Sequence, residues 1–67
     1  MPPKKLGRMI STRRESRNMT QRALAAKVGV TPGYLALLEL GKRENPSLDV
    51  LKRLAKALGV PVSELLE

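Results

Sequence analysis

Residues 21–40 read QRALAAKVGVTPGYLALLEL, and the spacing of their apolar side chains decides the fold. Leu24, Ala25 and Val28 fall on one side of a helix, and Leu35, Leu38 and Glu39 do the same in a second segment. Between them Gly29-Val30-Thr31 supplies a glycine that accepts positive φ, an apolar plug and a threonine placed to cap a new helix. So short a connection forces the two helices to cross steeply. Small residues are needed where the backbones meet, and Ala25 and Ala26 are expected there.

Glycine, cap, small residues and both apolar stripes agree in register, which makes residues 20–40 a helix-turn-helix whose second helix can be presented to a DNA groove. Working outward, Met1 to Pro3 are expected to be a disordered end beside basic residues. A first helix is expected from about Lys4 to Arg17, with Leu6, Met9 and Ile10 inside and Arg13, Arg14 and Arg17 favouring the helix dipole at its C-terminus. Asn18 suits a left-handed helix end, and Thr20 and Thr31 suit the caps of the second and third helices, with Pro32 in the first turn of the third. After the turn-rich Gly41–Pro46 loop, Ser47 caps a fourth helix with the stripe Leu48, Leu51, Leu54, Ala55 and Leu58, ended by Gly59. A brief fifth helix follows Pro61. The expectation is an all-α, compact five-helix fold, with residues 1–67 as one helix-turn-helix DNA-binding domain.

Sixty-seven residues are enough for one small core, built here from aliphatic side chains because Phe and Trp are absent and Tyr34 is the sole aromatic. With neither Cys nor His there is no disulfide and no zinc site, and no metal or cofactor is expected. The start, MPPKK, lacks the apolar run of a secretion signal, and no apolar stretch approaches the roughly 18–20 residues that span a bilayer. The expected place is the cytoplasm, with the nucleoid and no membrane partner. Net charge is +7, unevenly spread: residues 1–43 hold ten Lys/Arg against Glu15 and Glu39, a net of +8, and residues 44–67 hold three against four acids, a net of −1. That asymmetry suits a polyanion bound on one face. Catalysis is not expected, because no paired carboxylates, nucleophile–base pair or phosphate-cradling glycine loop is present.

The order LG…I…R, then MTQ…LA…VGV…YL..LE.GKR.NPSL..L..LA.ALGV…LL, resembles the lambdoid phage repressor and Cro family, the xenobiotic-response-element type of helix-turn-helix, over about residues 6 to 66. The resemblance implies a five-helix domain that dimerises on palindromic double-stranded DNA. It further implies that Gln21 bonds a phosphate, that Arg14 and Glu39 form a partly buried pair joining the first and third helices, and that Lys42 and Arg43 touch the backbone. Arg22 is grouped with these phosphate anchors, and Thr31, Pro32, Gly33, Tyr34 and Leu37 with the groove-facing set.

Counting about 100° per residue places Gly33, Leu37 and Leu40 on the outward face of the third helix, flanked by Ala36 and Tyr34. Many relatives carry amides or guanidinium groups there, and this helix carries none. Three roles fit: Leu37, Ala36 and Pro32 meet thymine methyl groups in the major groove; the face binds a partner protein, as in an antitoxin-like regulator; or a second copy covers it. Val60, Val62, Leu65 and Leu66 either close the core or form a two-fold dimer contact. The function these features point to is sequence-preferring DNA binding by a homodimeric transcription regulator, a repressor, with a protein-interaction module as the alternative.

Overall fold

Three hydroxyl side chains start three helices. Thr20 accepts a hydrogen bond from the Ala23 N–H at 3.0 Å, Thr31 from Tyr34 at 3.1 Å and Ser47 from Val50 at 3.1 Å. Each satisfies a donor that the first helical turn would otherwise leave without a partner. A computed structural model describes residues 3–43 and 45–66 of the chain. It places α1 at Pro3–Ser16, α2 at Gln21–Val28, α3 at Pro32–Glu39, α4 at Leu48–Leu58 and α5 at Val62–Leu66. Every regular element among the described residues is helical. Met1 and Pro2, expected to be disordered, lie outside the described residues. Pro3 instead opens α1, where a missing N–H costs nothing.

The connections follow the expected chemistry. Gly29 ends α2 in the left-handed region at φ 84°, and its N–H returns to the Ala25 carbonyl at 2.8 Å. The Val30 N–H bonds the same carbonyl at 3.0 Å, so the turn is closed twice before Thr31 starts α3. Asn18 takes a positive φ of 57° after α1, a conformation its side chain tolerates better than most.

The core is purely aliphatic. Ile10, Leu24, Ala25, Val28, Leu35, Leu38, Leu51, Leu54, Ala55, Leu58 and Leu65 are buried, and Leu6, Met9, Met19, Val30, Tyr34, Val50, Ala57, Val60 and Val62 pack around them. Three expectations about burial are corrected. Ala26 is exposed while Ala25 is buried, because a 100° step turns the next residue off the shared face. Leu48 is 54% exposed, since as the first residue of α4 it precedes the turn that reaches the core. Leu65 is 3% exposed and belongs to this chain's own core, so it is not available to a second copy.

The arginines at the end of α1 do more than complement a dipole. Arg13 pairs with Glu64 on α5, and the Arg17 Nε donates to the Leu58 carbonyl at the end of α4 at 2.7 Å. Together they tie the last turn of α1 and the residue after it to the C-terminal half of the chain. No helix among the described residues is long and apolar enough to cross a membrane.

Backbone meets backbone closely at Gly7, which the helical count alone does not single out. It is buried under the C-terminal turn of α3, where a Cβ would sit 2.5 Å from the Glu39 carbonyl oxygen and nearer still to that of Leu38. These are backbone atoms at a helix end and cannot swing aside. Gly7→Ala should therefore push α1 off α3 and destabilise the fold by about 2 kcal/mol, net of the better helix propensity of alanine. Thermal unfolding should record a fall of roughly 8–16 °C. An unchanged melting temperature would show that the two helices are not held this closely.

Candidate nucleic-acid interface

A helix can present a face only if something holds its other side. For α3 that hold is partly polar. The Glu39 side chain, 6% exposed, lies at the last turn of α3. Arg14 of α1, 11% exposed, meets it with both arms of its fork: Nε donates to Oε2 at 2.8 Å and Nη2 to Oε1 at 3.1 Å. Its remaining arm, Nη1, donates to the Met19 carbonyl in the α1–α2 connection at 2.7 Å. The hydrogen bond to Glu39 raises the pKa of the Arg14 guanidinium above its ordinary value, against the opposing effect of burial. The cation therefore persists at every working pH.

Gln21 joins the same cluster. Its Nε2 donates to Glu39 Oε1 at 2.9 Å, so one amide proton is committed inside the protein. The second amide proton and the carbonyl oxygen remain for other partners. Arg14 of α1 and Gln21 of α2 thus converge on one carboxylate of α3, with the α1–α2 connection held by the same arginine, and no buried polar side-chain atom among the described residues lacks a partner.

The other predicted contact residues fall around the exposed side of α3. Thr31, Pro32 and Gly33 are exposed at its N-terminus, and a Cβ at Gly33 would meet nothing within 4 Å. Leu37 is 39% exposed and Leu40 is 62% exposed, whereas Leu35 and Leu38 are buried on the opposite side. Tyr34 is half-buried, and the Arg43 guanidinium lies over its ring, 5.1 Å from the centroid. This cation–π contact draws the loop after α3 toward the first turn of α3 and holds one of its cations there. Arg22 and Lys42 are exposed.

Two cationic features were not evident from residue order. Arg8 of α1 shares a shallow cleft of about 310 Å³ with Ser11, Glu39 and Leu40, beside the end of α3. Helical spacing of Arg8 and Ser11 could have flagged it, but only once α1 was known to cross α3. Elsewhere, Lys27 of α2 joins Arg53, Lys56 and Ala57 of α4 around a cleft of about 450 Å³. Basic surface is therefore not confined to the first 43 residues. Arg53 is already engaged there, donating to the Val28 carbonyl at 3.4 Å and pairing with Asp49 at 2.9 Å. Of the expected second-copy residues, Leu66 is 57% exposed while Val60 and Val62 are half-buried against the core.

The model of the helix-turn-helix family matches residues 10–65. The immunity repressor of Bacillus phage phi105 is 42% identical over 60 residues, which are 90% of this chain and 41% of that protein. Among solved structures, the restriction-modification controller protein C.AhdI from Aeromonas hydrophila superposes with a TM-score of 0.87 at 32% identity, over 94% of each chain. SinR, the Bacillus subtilis master regulator for biofilm formation, solved in complex with DNA, also superposes with a TM-score of 0.87 at 32% identity, over 92% of this chain and 98% of that one. This chain spans 41% of the length of the first curated regulators it matches.

Removing the carboxylate tests the buried cluster. Glu39→Ala should leave the Arg14 charge buried without compensation and cost about 3 kcal/mol in chemical denaturation. Arg14→Lys keeps the charge but loses the fork, and should recover only part of that stability. If both variants unfold at the same denaturant concentration as the parent, the cluster does not hold α3.

Proposed function

The chain belongs to the Cro/C1-type helix-turn-helix family, and on that premise we propose that it binds double-stranded DNA as a transcription regulator of the repressor kind, with α3 in the major groove. The observation that supports this most directly is the surface around α3. Arg43 lies over Tyr34 in its first turn, Arg8 of α1 lies beside its last turn, and Arg22 on α2 and Lys42 after α3 are exposed. A duplex presents one phosphate charge per roughly 1.7 Å of axis, and fixed cations beside a protruding helix match that geometry. Gln21 adds its remaining amide proton at the N-terminus of α2, where the helix dipole also favours an anion. Thr31, Pro32, Gly33, Tyr34 and Leu37 face the groove in this arrangement.

Two copies related by a two-fold axis would read a palindromic operator, with recognition helices about one turn, roughly 34 Å, apart. Leu66 is the exposed apolar residue best placed for that contact, with Val60 and Val62 at its edges. Such a protein works in the cytoplasm, at the nucleoid. A second use of the surface is favoured by the exposure of Leu37 and Leu40 together: the outer face of α3 would dock an apolar surface of a partner protein instead of DNA.

Salt separates the two. Three or four phosphate contacts per subunit predict a log–log slope of affinity against salt of about −5 to −7 per dimer. Lys42→Ala should weaken binding to all sequences alike and make that slope shallower by about 2 per dimer. Equilibrium binding to duplex DNA at several salt concentrations measures both. A flat response would overturn the DNA reading and leave the partner-protein use of α3 standing.

A further inference from the structure

The proposed function leaves open what feature of a base pair this helix can read, and the exposed side of α3 narrows the choice. From Thr31 to Leu40 the only side chains with polar atoms are Thr31, Tyr34 and Glu39. Thr31 is engaged as the helix cap, accepting from the Tyr34 N–H at 3.1 Å. Glu39 is bound by Arg14 and Gln21 and faces away from solvent. Tyr34 is half-buried with Arg43 over its ring. What remains toward the groove is Pro32, Gly33, Ala36 and Leu37, and among these Leu37 is the large, flexible exposed side chain. Leu40 is exposed too, but it sits at the end of α3 beside Arg8 and Ser11 of α1, whereas base contacts come from the N-terminal part of a recognition helix.

An apolar side chain cannot tell donors from acceptors. The one apolar group by which base pairs differ in the major groove is the methyl at pyrimidine C5. Gly33 helps in a specific way, because the empty space beside it lets the groove floor approach the helix closely. Arg43 over Tyr34 at one end of α3, Arg8 beside Leu40 at the other and a net charge of +7 make a polyanion, rather than an apolar protein surface, the complementary occupant.

Resting on the DNA-binding reading above, we propose that α3 recognises C5-methylated pyrimidines in the major groove, with Leu37 as the specificity-determining side chain. The shared chemistry is the C5 methyl, whether it comes from thymine or from 5-methylcytosine. Burying one methyl against Leu37 corresponds to roughly fourfold in affinity. Sequence preference is then modest per base pair, and the phosphate contacts carry most of the affinity.

The test begins with duplexes enriched by the full chain from a random pool at low salt. Thymines of the enriched sequence are then replaced one at a time by deoxyuridine, which removes only the methyl group. At a contacted position the parent should lose about fourfold in affinity. Leu37→Ala should bind the thymine and deoxyuridine duplexes equally, with its salt slope unchanged. A cytosine placed at that position should bind weakly, and 5-methylcytosine should restore the loss, which distinguishes the two methyl sources from the rest of the ring. Leu37→Gln supplies an amide and should move the selected base pair toward one presenting adenine N6 and N7. Because Leu37 lies outside the core, circular dichroism should show all three proteins equally folded. If deoxyuridine substitution at every position leaves affinity unchanged while binding stays salt-dependent, the methyl proposal is overturned and DNA binding stands. If no duplex is bound at low salt, both fall.

Discussion

A carboxylate at 6% exposure constrains everything around it. In a medium of low dielectric an isolated Glu39 charge would be expensive, so the fold must bring donors to it or exclude it. Arg14 supplies two from α1 and Gln21 supplies one from α2. Arg14 uses its last arm on the Met19 carbonyl, which sets the connection between those helices as well. The orientation of α3 against both neighbours is thereby tied to hydrogen-bond geometry, whereas aliphatic packing alone tolerates small rotations. Gly7 is the steric counterpart: its missing side chain lets α1 come close enough for Arg14 to reach.

That arrangement divides the labour of α3 between its two sides. The inner side combines Leu35 and Leu38, which bury apolar area, with Glu39, which sets direction. The outer side carries Leu37 and Leu40, with Arg43 of the following loop over Tyr34 at its start and Arg8 of α1 beside its end. The two sides of one short helix thus differ in kind, the inner one fixed by packing and hydrogen bonds and the outer one apolar with a cation at each end. Stacking of Arg43 on Tyr34 fits the same pattern, because it holds one cation close to the helix start at little entropic cost.

Much of the fold was legible in residue order because its signals are local. A threonine or serine cap acts on an N–H three residues on, and a glycine stop acts on the carbonyls of the turn before it. The exposure of Gly33, Leu37 and Leu40 and the Arg14–Glu39 pair were legible too, the first from helical counting and the second only through family resemblance. What periodicity missed were matters of depth. It groups Leu48 with the α4 stripe although the first turn overhangs the core, and it leaves open whether Leu65 closes the core or meets a second copy, where the fold buries it. Which face a side chain occupies follows from spacing along the chain. Whether another element lies over that face does not.

The same distinction holds for function. Helix positions, caps, the aliphatic core and the basic balance all follow from interactions within a few residues or from composition, so the chain carries them in its order. The engagement of Gln21 by Glu39, the approach of α1 at Gly7, the cross-links from Arg13 and Arg17, and the gathering of Arg8 near the end of α3 each join residues far apart in sequence. Only packing brings such groups within a few ångströms, and it is at that distance that an arginine becomes a strut and a glycine a point of contact.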